Sequence, residues 1–250
     1  MNKNNPTLLY QFALSHYCEK ARWALDIKGV PYQLINLIPG PHLFTTKKLA
    51  KQSSVPILSH QGKIIQDSTN IIDYLDEKFP SKPLNPSTPS EKKEALELEE
   101  FFDEAIGVHL RRFFYFFVLE NRKLVTRLLT QDGPAYGVYL YAIIFPLVKT
   151  LMKKSMRINA ESAKRSEIKL TKALEKLNGL VSKNDFLVGN KLSRADITAA
   201  SLLAPLCTPK EHAFPWPVDE LMPKSLIDFK KAHKQAPFFE WVLQTYKNHR

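Results

Sequence analysis

Four prolines in the eleven residues Pro80–Ser90 divide this 250-residue chain into two segments with different hydrophobic periods. Such a stretch cannot continue a helix or a central strand, so it reads as a linker between domains. Before it, short strands alternate with helices. Strands are expected at Thr7–Phe12, Tyr32–Asn36, Val55–Leu58 and Lys63–Gln66, the last two joined by a hairpin-like turn at His60-Gln61-Gly62. A helix is expected from about Tyr17 to Lys28, with Tyr17, Ala21, Ala24 and Leu25 on one face and Gly29 at its end. The turn Pro39-Gly40-Pro41-His42 leads to a short helix through Lys47-Lys48-Leu49. Another helix opens at Ser68 and buries Ile71, Ile72, Leu75 and Phe79. Beyond Ser90 strand signals nearly vanish. Helices are expected from about Ser90 to Glu120, Tyr136 to Met156, Ala160 to Val181, Arg194 to Leu206 and Pro237 to Lys247. The domains then run over 1–80 and 91–250, with 81–90 as the linker.

Composition is ordinary for a globular chain, 44% hydrophobic and 24% charged. The polar start, Met1-Asn2-Lys3-Asn4-Asn5-Pro6, has no signal-peptide core, and Cys18 and Cys207 are the only cysteines. A reduced cytoplasmic setting without a structural disulfide follows as an expectation. The seven histidines show no metal-ligand spacing such as His-Glu-x-x-His, so no metal is expected. The net charge is +11, and its excess is concentrated between Lys149 and Lys176. A solvated helix surface accounts for that run; a patch for acidic lipid or nucleic acid is the sharper alternative. No zinc finger, RNA-recognition core motif or helix-turn-helix pattern accompanies it, so no nucleic-acid partner is expected. Tyr136 to Val148 is nearly all apolar, broken by Gly137 and Pro146, and too short for a membrane span of roughly 20 residues. The default is a buried core helix kinked at Pro146; a membrane-associated surface is the lesser reading.

The chemistry points to Ser15-His16-Tyr17-Cys18, between the first strand and the first helix. Free backbone N–H groups and the positive end of the helix dipole face whatever sits there, so a sulfur at that point is more easily held as thiolate. The first position is a serine, so the sulfur worked on belongs to a ligand. Ser15 also reads as a helix cap, and the two roles are compatible. Cys18 lies one turn into the helix. It reads as a small core residue, with redox work as the alternative.

Four local features in order make the whole chain resemble a soluble glutathione transferase, of the serine/cysteine type and bacterial-like. Ser15 to Leu25 resembles the family's active-site junction. Ser54-Val55-Pro56 resembles its Val-Pro with a cis bond, although an ordinary trans proline opening a strand also fits. Gln66-Asp67-Ser68-Thr69-Asn70 resembles its acidic-Ser motif, and Leu192-Ser193-Arg194-Ala195-Asp196 resembles the capping box of its buried helix. The resemblance implies an α/β thioredoxin-like N-terminal domain followed by an all-α C-terminal domain. It implies Ser15 as the hydroxyl donating to glutathione's sulfur. Tyr17, His42, Lys48, Val55, Pro56, Asp67 and Ser68 are then the glutathione-binding residues, with Lys51 beside them.

Ser68 reads as the N-cap of its helix, and Asp67 as a partner for the ligand's ammonium. Asp stands where the family more often has Glu or Gln, one methylene longer. Ser193 and Asp196 read as a structural cap. His109, Arg112 and Tyr115 are implied to line the pocket for a small hydrophobic electrophile. Glutathione is then a cosubstrate, no cofactor is needed, and a homodimer is implied. Ser-x-Tyr-Cys also resembles a glutaredoxin Cys-Pro-Tyr-Cys site that has lost its attacking cysteine. Three functions stay open: a transferase acting on an apolar electrophile or a hydroperoxide, a glutathione or hydrophobic-ligand binding protein with little turnover, and a glutathione-dependent reductase using Cys18.

Overall fold

The computed structural model describes residues 6–250. The stretch 1–5, read above for a signal core, lies outside the described residues. By its contacts the chain forms two compact units. One takes the residues up to Leu84 together with Thr126–Val148, and the other takes Asn85–Val125 together with Lys149–Arg250. The division between them falls first at Leu84–Asn85, inside the proline-rich stretch.

The first unit carries β1 (Leu8–Gln11), α1 (His16–Ile27), β2 (Gln33–Asn36), α2 (His42–Leu49), β3 (Ile57–His60), β4 (Lys63–Gln66) and α3 (Ser68–Lys78). The sheet order is β2-β1-β3-β4, with β1 parallel to β2 and antiparallel to β3. The registers pair Gln11 with Asn36, Tyr10 with Ile57 and Ile57 with Gln66. The C-terminal ends of β1, β2 and β4 and the N-terminal end of β3 therefore share one edge. Between β3 and β4, Gln61 and Gly62 both take positive φ (50° and 80°), the two-residue turn whose twist suits a tight hairpin. The β3 strand starts at Ile57 rather than at Val55, because Pro56 has no N–H to donate and follows a cis bond.

Helix α1 departs from a single buried face. Every residue from Cys18 to Leu25 is buried, Glu19, Lys20 and Arg22 included, while Tyr17 is only half-buried. Buried charges must be paired. Arg22 meets Glu19 at 2.7 Å and donates to Gln11 Oε1, and Gln11 Nε2 donates to Asn36 Oδ1 at 2.8 Å. Asn36 Nδ2 donates in turn to the Asp132 carbonyl at 2.7 Å. At the far end, Lys28 pairs with Asp76 at 2.6 Å and donates to the Phe79 carbonyl, fastening α1 to α3. Phe79 closes α3 half-buried, outside the fully buried set Ile71, Ile72 and Leu75. Residues 126–148 close over the 38–41 loop. Tyr141 donates to the Pro39 carbonyl at 2.7 Å, and a Cβ on Gly133 would lie 2.8 Å from the Ile38 side chain.

The remaining elements are helical: α4 (Pro89–Phe102), α5 (Val108–Val118), α6 (Arg122–Thr130), α7 (Gly137–Ser155), α8 (Ala160–Val181), α9 (Arg194–Cys207), α10 (Lys224–His233) and α11 (Pro237–His249). An α/β segment followed by an all-α segment is thus what the chain forms. Thr88 caps α4, with its hydroxyl accepting from Glu91 N at 3.2 Å and Pro89 at the first helical position. The single helix expected from Ser90 to Glu120 is α4 and α5 joined by a π-helical turn, Asp103–Gly107. One turn of wider pitch hardly disturbs a hydrophobic pattern, which is why the sequence does not announce it. Two helices lie outside the expected set, α6 and α10. The α6 signal is present but short, with Leu124, Val125, Leu128 and Leu129 all buried.

Helix α7 corrects the expectation of a buried core helix. Tyr141, Phe145, Val148 and Met152 are buried, but Tyr139, Ile143 and Leu147 on its other side are 78%, 79% and 61% exposed. An apolar pattern all round a helix carries no information on which side packs. No helix among the described residues is long and apolar enough to cross a membrane. Much of the basic run from 149 to 176 is paired along helix surfaces. Lys149 and Lys153 both meet Glu120 at 2.7 Å, Lys164 meets Glu167 at 3.0 Å, and Lys176 sits 3.9 Å over the Phe101 ring.

Candidate functional site

Ser15 is the N-cap of α1. Its backbone is extended (φ −72°, ψ 123°), its N–H donates to the Phe12 carbonyl at 3.0 Å, and its Oγ accepts from Cys18 N at 3.4 Å. The side chain is half-buried, so its hydroxyl stays reachable at the end of the helix. Cys18 is fully buried behind it. Burial pushes its thiol up, with the Ser15 hydroxyl and the Arg22 charge pulling the other way. A buried thiol with a raised pKa is a poor nucleophile.

The Val55–Pro56 bond is cis, and the Pro56 carbonyl accepts from Asp67 N at 3.1 Å. Asp67, not Ser68, is the N-cap of α3. Its Oδ1 accepts from Thr69 N at 2.9 Å and Asn70 N at 3.4 Å, with the backbone at φ 86°. An Asp carboxylate satisfies two orphan donors from one oxygen, and Ser68 becomes the buried first residue of the helix. Asp67 itself is exposed.

The segment before Val55 is held by two side chains. Gln66 Nε2 donates to the Gln52 and Ser54 carbonyls at 2.9 and 2.8 Å, and its Oε1 accepts from Gln52 N at 3.2 Å. His42 accepts from Gly40 N on Nδ1 at 3.1 Å, contacts the Phe12 ring edge-on at 4.9 Å, and bonds to the Ser53 backbone. Burial lowers the pKa of His42, so the ring is neutral near pH 7. Tyr17 is half-buried with its ring edge-on to His16, while Lys48 and Lys51 are exposed, Lys48 in the last turn of α2.

These contacts tie the first-unit residues to one edge of the sheet. Ser15 bonds Phe12, Phe12 meets His42, His42 meets Ser53, and Pro56 meets Asp67. Lys20 Nζ donates to Thr69 Oγ1 at 3.1 Å, so the second turn of α1 is bridged to the first turn of α3. Both helices present their N-terminal, positive ends there. Each end favours an anion, and two adjacent ends suit a ligand with a thiolate and a carboxylate. Gln66, Gln11, Glu19 and Arg22 escape a sequence reading of this edge. The Glu19-x-x-Arg22 spacing is a visible charge pair, but nothing in it announces burial.

In the second unit, His109 Nδ1 and Arg112 Nη1 meet at the buried Ser166 hydroxyl, at 3.0 and 3.1 Å, and Arg112 Nε donates to the Met156 carbonyl at 2.9 Å. Tyr115 turns into the core. It is buried edge-on to Phe114, and its hydroxyl is pushed up to about 12. Asp196 is buried at the start of α9, accepting from Leu187 N, Ser193 N and Ser193 Oγ at 2.7, 2.8 and 2.7 Å. Burial raises its pKa despite those donors.

Burial and the Lys169 and Arg112 charges lower His109 to about 4. Histidine-resolved NMR titration should therefore find its imidazole neutral down to about pH 4. A folded-state pKa below the unfolded value supplies stability that is complete above the unfolded pKa near 6.5 and lost as pH falls through about 4. A midpoint near 6.5 would mean that the ring is solvated.

The model of the glutathione S-transferase N-terminal domain matches residues 9–83, and that of the C-terminal domain matches residues 140–213. Together they span more than half of the chain. The chain belongs to the glutathione S-transferase superfamily. Glutathione S-transferase U4 of Arabidopsis thaliana is 32% identical over 108 residues, 42% of this chain and 47% of that protein. Glutathione S-transferase 1 of Dianthus caryophyllus is 43% identical over 81 residues, 31% of this chain and 37% of that protein. The chain thus spans about half the length, or less, of these curated transferases. Among solved structures, the beta-etherase LigF from Sphingobium sp. strain SYK-6 superposes with a TM-score of 0.64 at 20% identity, covering 96% of this chain and 99% of that one. Poplar glutathione transferase F1 superposes at 0.58 with 17% identity, covering 97% and 99%. At such identities the likeness is one of transferase fold.

Proposed function

We propose that the chain is a glutathione transferase that holds glutathione along this sheet edge and keeps its sulfur as thiolate against Ser15. The carrying observation is the Ser15 hydroxyl at the N-terminus of α1, bridged through Lys20 and Thr69 to the N-terminus of α3. The Ser15 hydroxyl donates to the ligand sulfur, and the free N–H groups of the first turn add to it. The backbone of Val55 pairs with the cysteinyl unit as a strand would. The γ-glutamyl carboxylate lies at the first turn of α3, beside Ser68, and its ammonium pairs with exposed Asp67. Lys48 is within the segment that takes the glycine carboxylate, while His42 braces the 51–54 loop. The thiolate then attacks an apolar electrophile or a hydroperoxide. A homodimer in the cytoplasm belongs to the same proposal, and light scattering should give twice the chain mass. Retention on immobilised glutathione, then assays with an aryl halide, a hydroperoxide and a mixed disulfide, test the function. Retention without turnover of any of them supports the second reading, a glutathione-binding protein, which the capping duty of Asp67 favours.

Asp67→Ala should weaken glutathione binding by about 1–3 kcal/mol in calorimetry. Asp67→Asn keeps a capping side chain but loses the charge, so it separates the two duties. Equal affinities for Asp67→Asn and wild type would make Asp67 a cap alone.

Cys18→Ala should retain conjugating activity, and the native thiol should label slowly. Loss of activity together with a glutathione mixed disulfide at Cys18 would replace the transferase by a reductase.

A further inference from the structure

Helix α7 turns apolar residues both ways. Gly137, Tyr141, Phe145, Val148 and Met152 are buried on one side, while Tyr139, Ile143, Leu147 and Leu151 are exposed on the other. We propose that the exposed face lies on the surface of a membrane rich in anionic lipid, with the helix in the plane of the headgroups. The proposal uses no residue of the glutathione edge and does not depend on the glutathione reading.

The face follows from the turn of the helix. Tyr139, Ile143, Leu147 and Leu151 recur at every fourth residue, so they form one stripe along α7. Lys154, three residues beyond Leu151, falls on the same stripe and is exposed. Between Tyr139 and Lys154 the one exposed polar residue is Thr150. The opposite side is held by the fold. Tyr141 donates to the Pro39 carbonyl at 2.7 Å, and a Cβ on Gly40 would lie 3.4 Å from the Val148 side chain. The helix cannot roll to bury the stripe without giving up that packing. A contiguous apolar stripe left in water is unfavourable, and burial against another apolar phase relieves it.

The order of residues along the stripe suits a bilayer interface. Tyr136 and Tyr139 stand exposed at its start, and Lys154 stands roughly 22 Å beyond Tyr139 at about 1.5 Å per residue. A tyrosine ring and a lysine stem each place a polar tip among headgroups while the rest of the side chain stays in an apolar layer. Ile143, Leu147 and Leu151 between them carry no side-chain donor or acceptor, so they ask for burial rather than for matched hydrogen bonds. Charge selects the lipid. Helix α7 has no acidic residue. Lys149 and Lys153 turn to Glu120, whereas Lys154 stays exposed on the stripe, and Arg157 is exposed just past the helix end. The chain carries a net charge of +11. A second copy of the chain brings the same sign of charge, and an anionic bilayer brings the opposite one.

Sedimentation of the full chain with vesicles tests this, using phosphatidylcholine alone and phosphatidylcholine mixed with phosphatidylserine. The chain should sediment with the anionic vesicles, far less with the neutral ones, and be released as salt rises. Ile143→Glu and Leu147→Glu should each weaken binding to the anionic vesicles about tenfold or more. Lys154→Gln should weaken it about fivefold. Val218→Glu makes the same change of charge at an exposed position outside α7 and should leave binding unchanged. Either α7 glutamate variant suffices if the other unfolds. No sedimentation with anionic vesicles, equally tight binding to neutral ones, or wild-type binding by a folded α7 glutamate variant would overturn the proposal. A halved mass of Ile143→Glu in light scattering, with no vesicles present, would also overturn it, since a second copy would then cover the face.

Discussion

Glu99→Ala should lower the unfolding free energy of the helical unit by about 3–5 kcal/mol, the cost of stranding a buried charge. Glu99 on α4 and Arg194, the first residue of α9, bond to each other with side chains 2% and 0% exposed, and Arg194 Nη1 also donates to Asn85 Oδ1 at 3.0 Å. Helix α9 is buried almost throughout, so its first turn has no solvent to fall back on. The mechanism makes a second demand. Replacing both partners by apolar residues of like volume, Glu99→Leu with Arg194→Met, should recover most of the loss, since both charges of the pair are then removed together. Urea denaturation of the two variants decides it. A single variant within about 1 kcal/mol of wild type would mean that water reaches the pair.

The other large effect should fall on chemistry. Ser15→Ala removes the hydroxyl donor at the sulfur while leaving the helix N-terminus in place. Loss of one such preorganised donor costs about 10²–10³ in rate, so conjugation should fall by that order with glutathione still bound. The cap is lost too, at about 0.5–2 kcal/mol of stability, which is small beside the rate effect. The long Cys18 N to Ser15 Oγ contact, 3.4 Å, argues that capping is not the hydroxyl's main duty.

The place of Ser15 as the cap of α1 was legible because its signal is local: a strand, a polar residue, then a helical pattern. The same holds for the Gln61-Gly62 turn, where backbone geometry restricts residue type directly. Gln66 was not legible as a clamp. Its partners, Gln52 and Ser54, lie 14 and 12 residues back, and only the β3–β4 hairpin brings them round. Glu19, Lys20 and Arg22 look like surface charges in a one-face pattern. They are buried because α1 is covered on more than one side and each finds a polar partner within the unit. Asp67 displaced Ser68 as the cap because a positive φ, invisible in the sequence, turns its carboxylate over the next two N–H groups.

The most direct measurement follows the thiolate absorbance of bound glutathione against pH, in wild type and in Ser15→Ala. A midpoint below that of free glutathione in wild type, shifted up in the variant, is the expected result. Saturable binding with the same midpoint in both proteins would remove Ser15 from the chemistry.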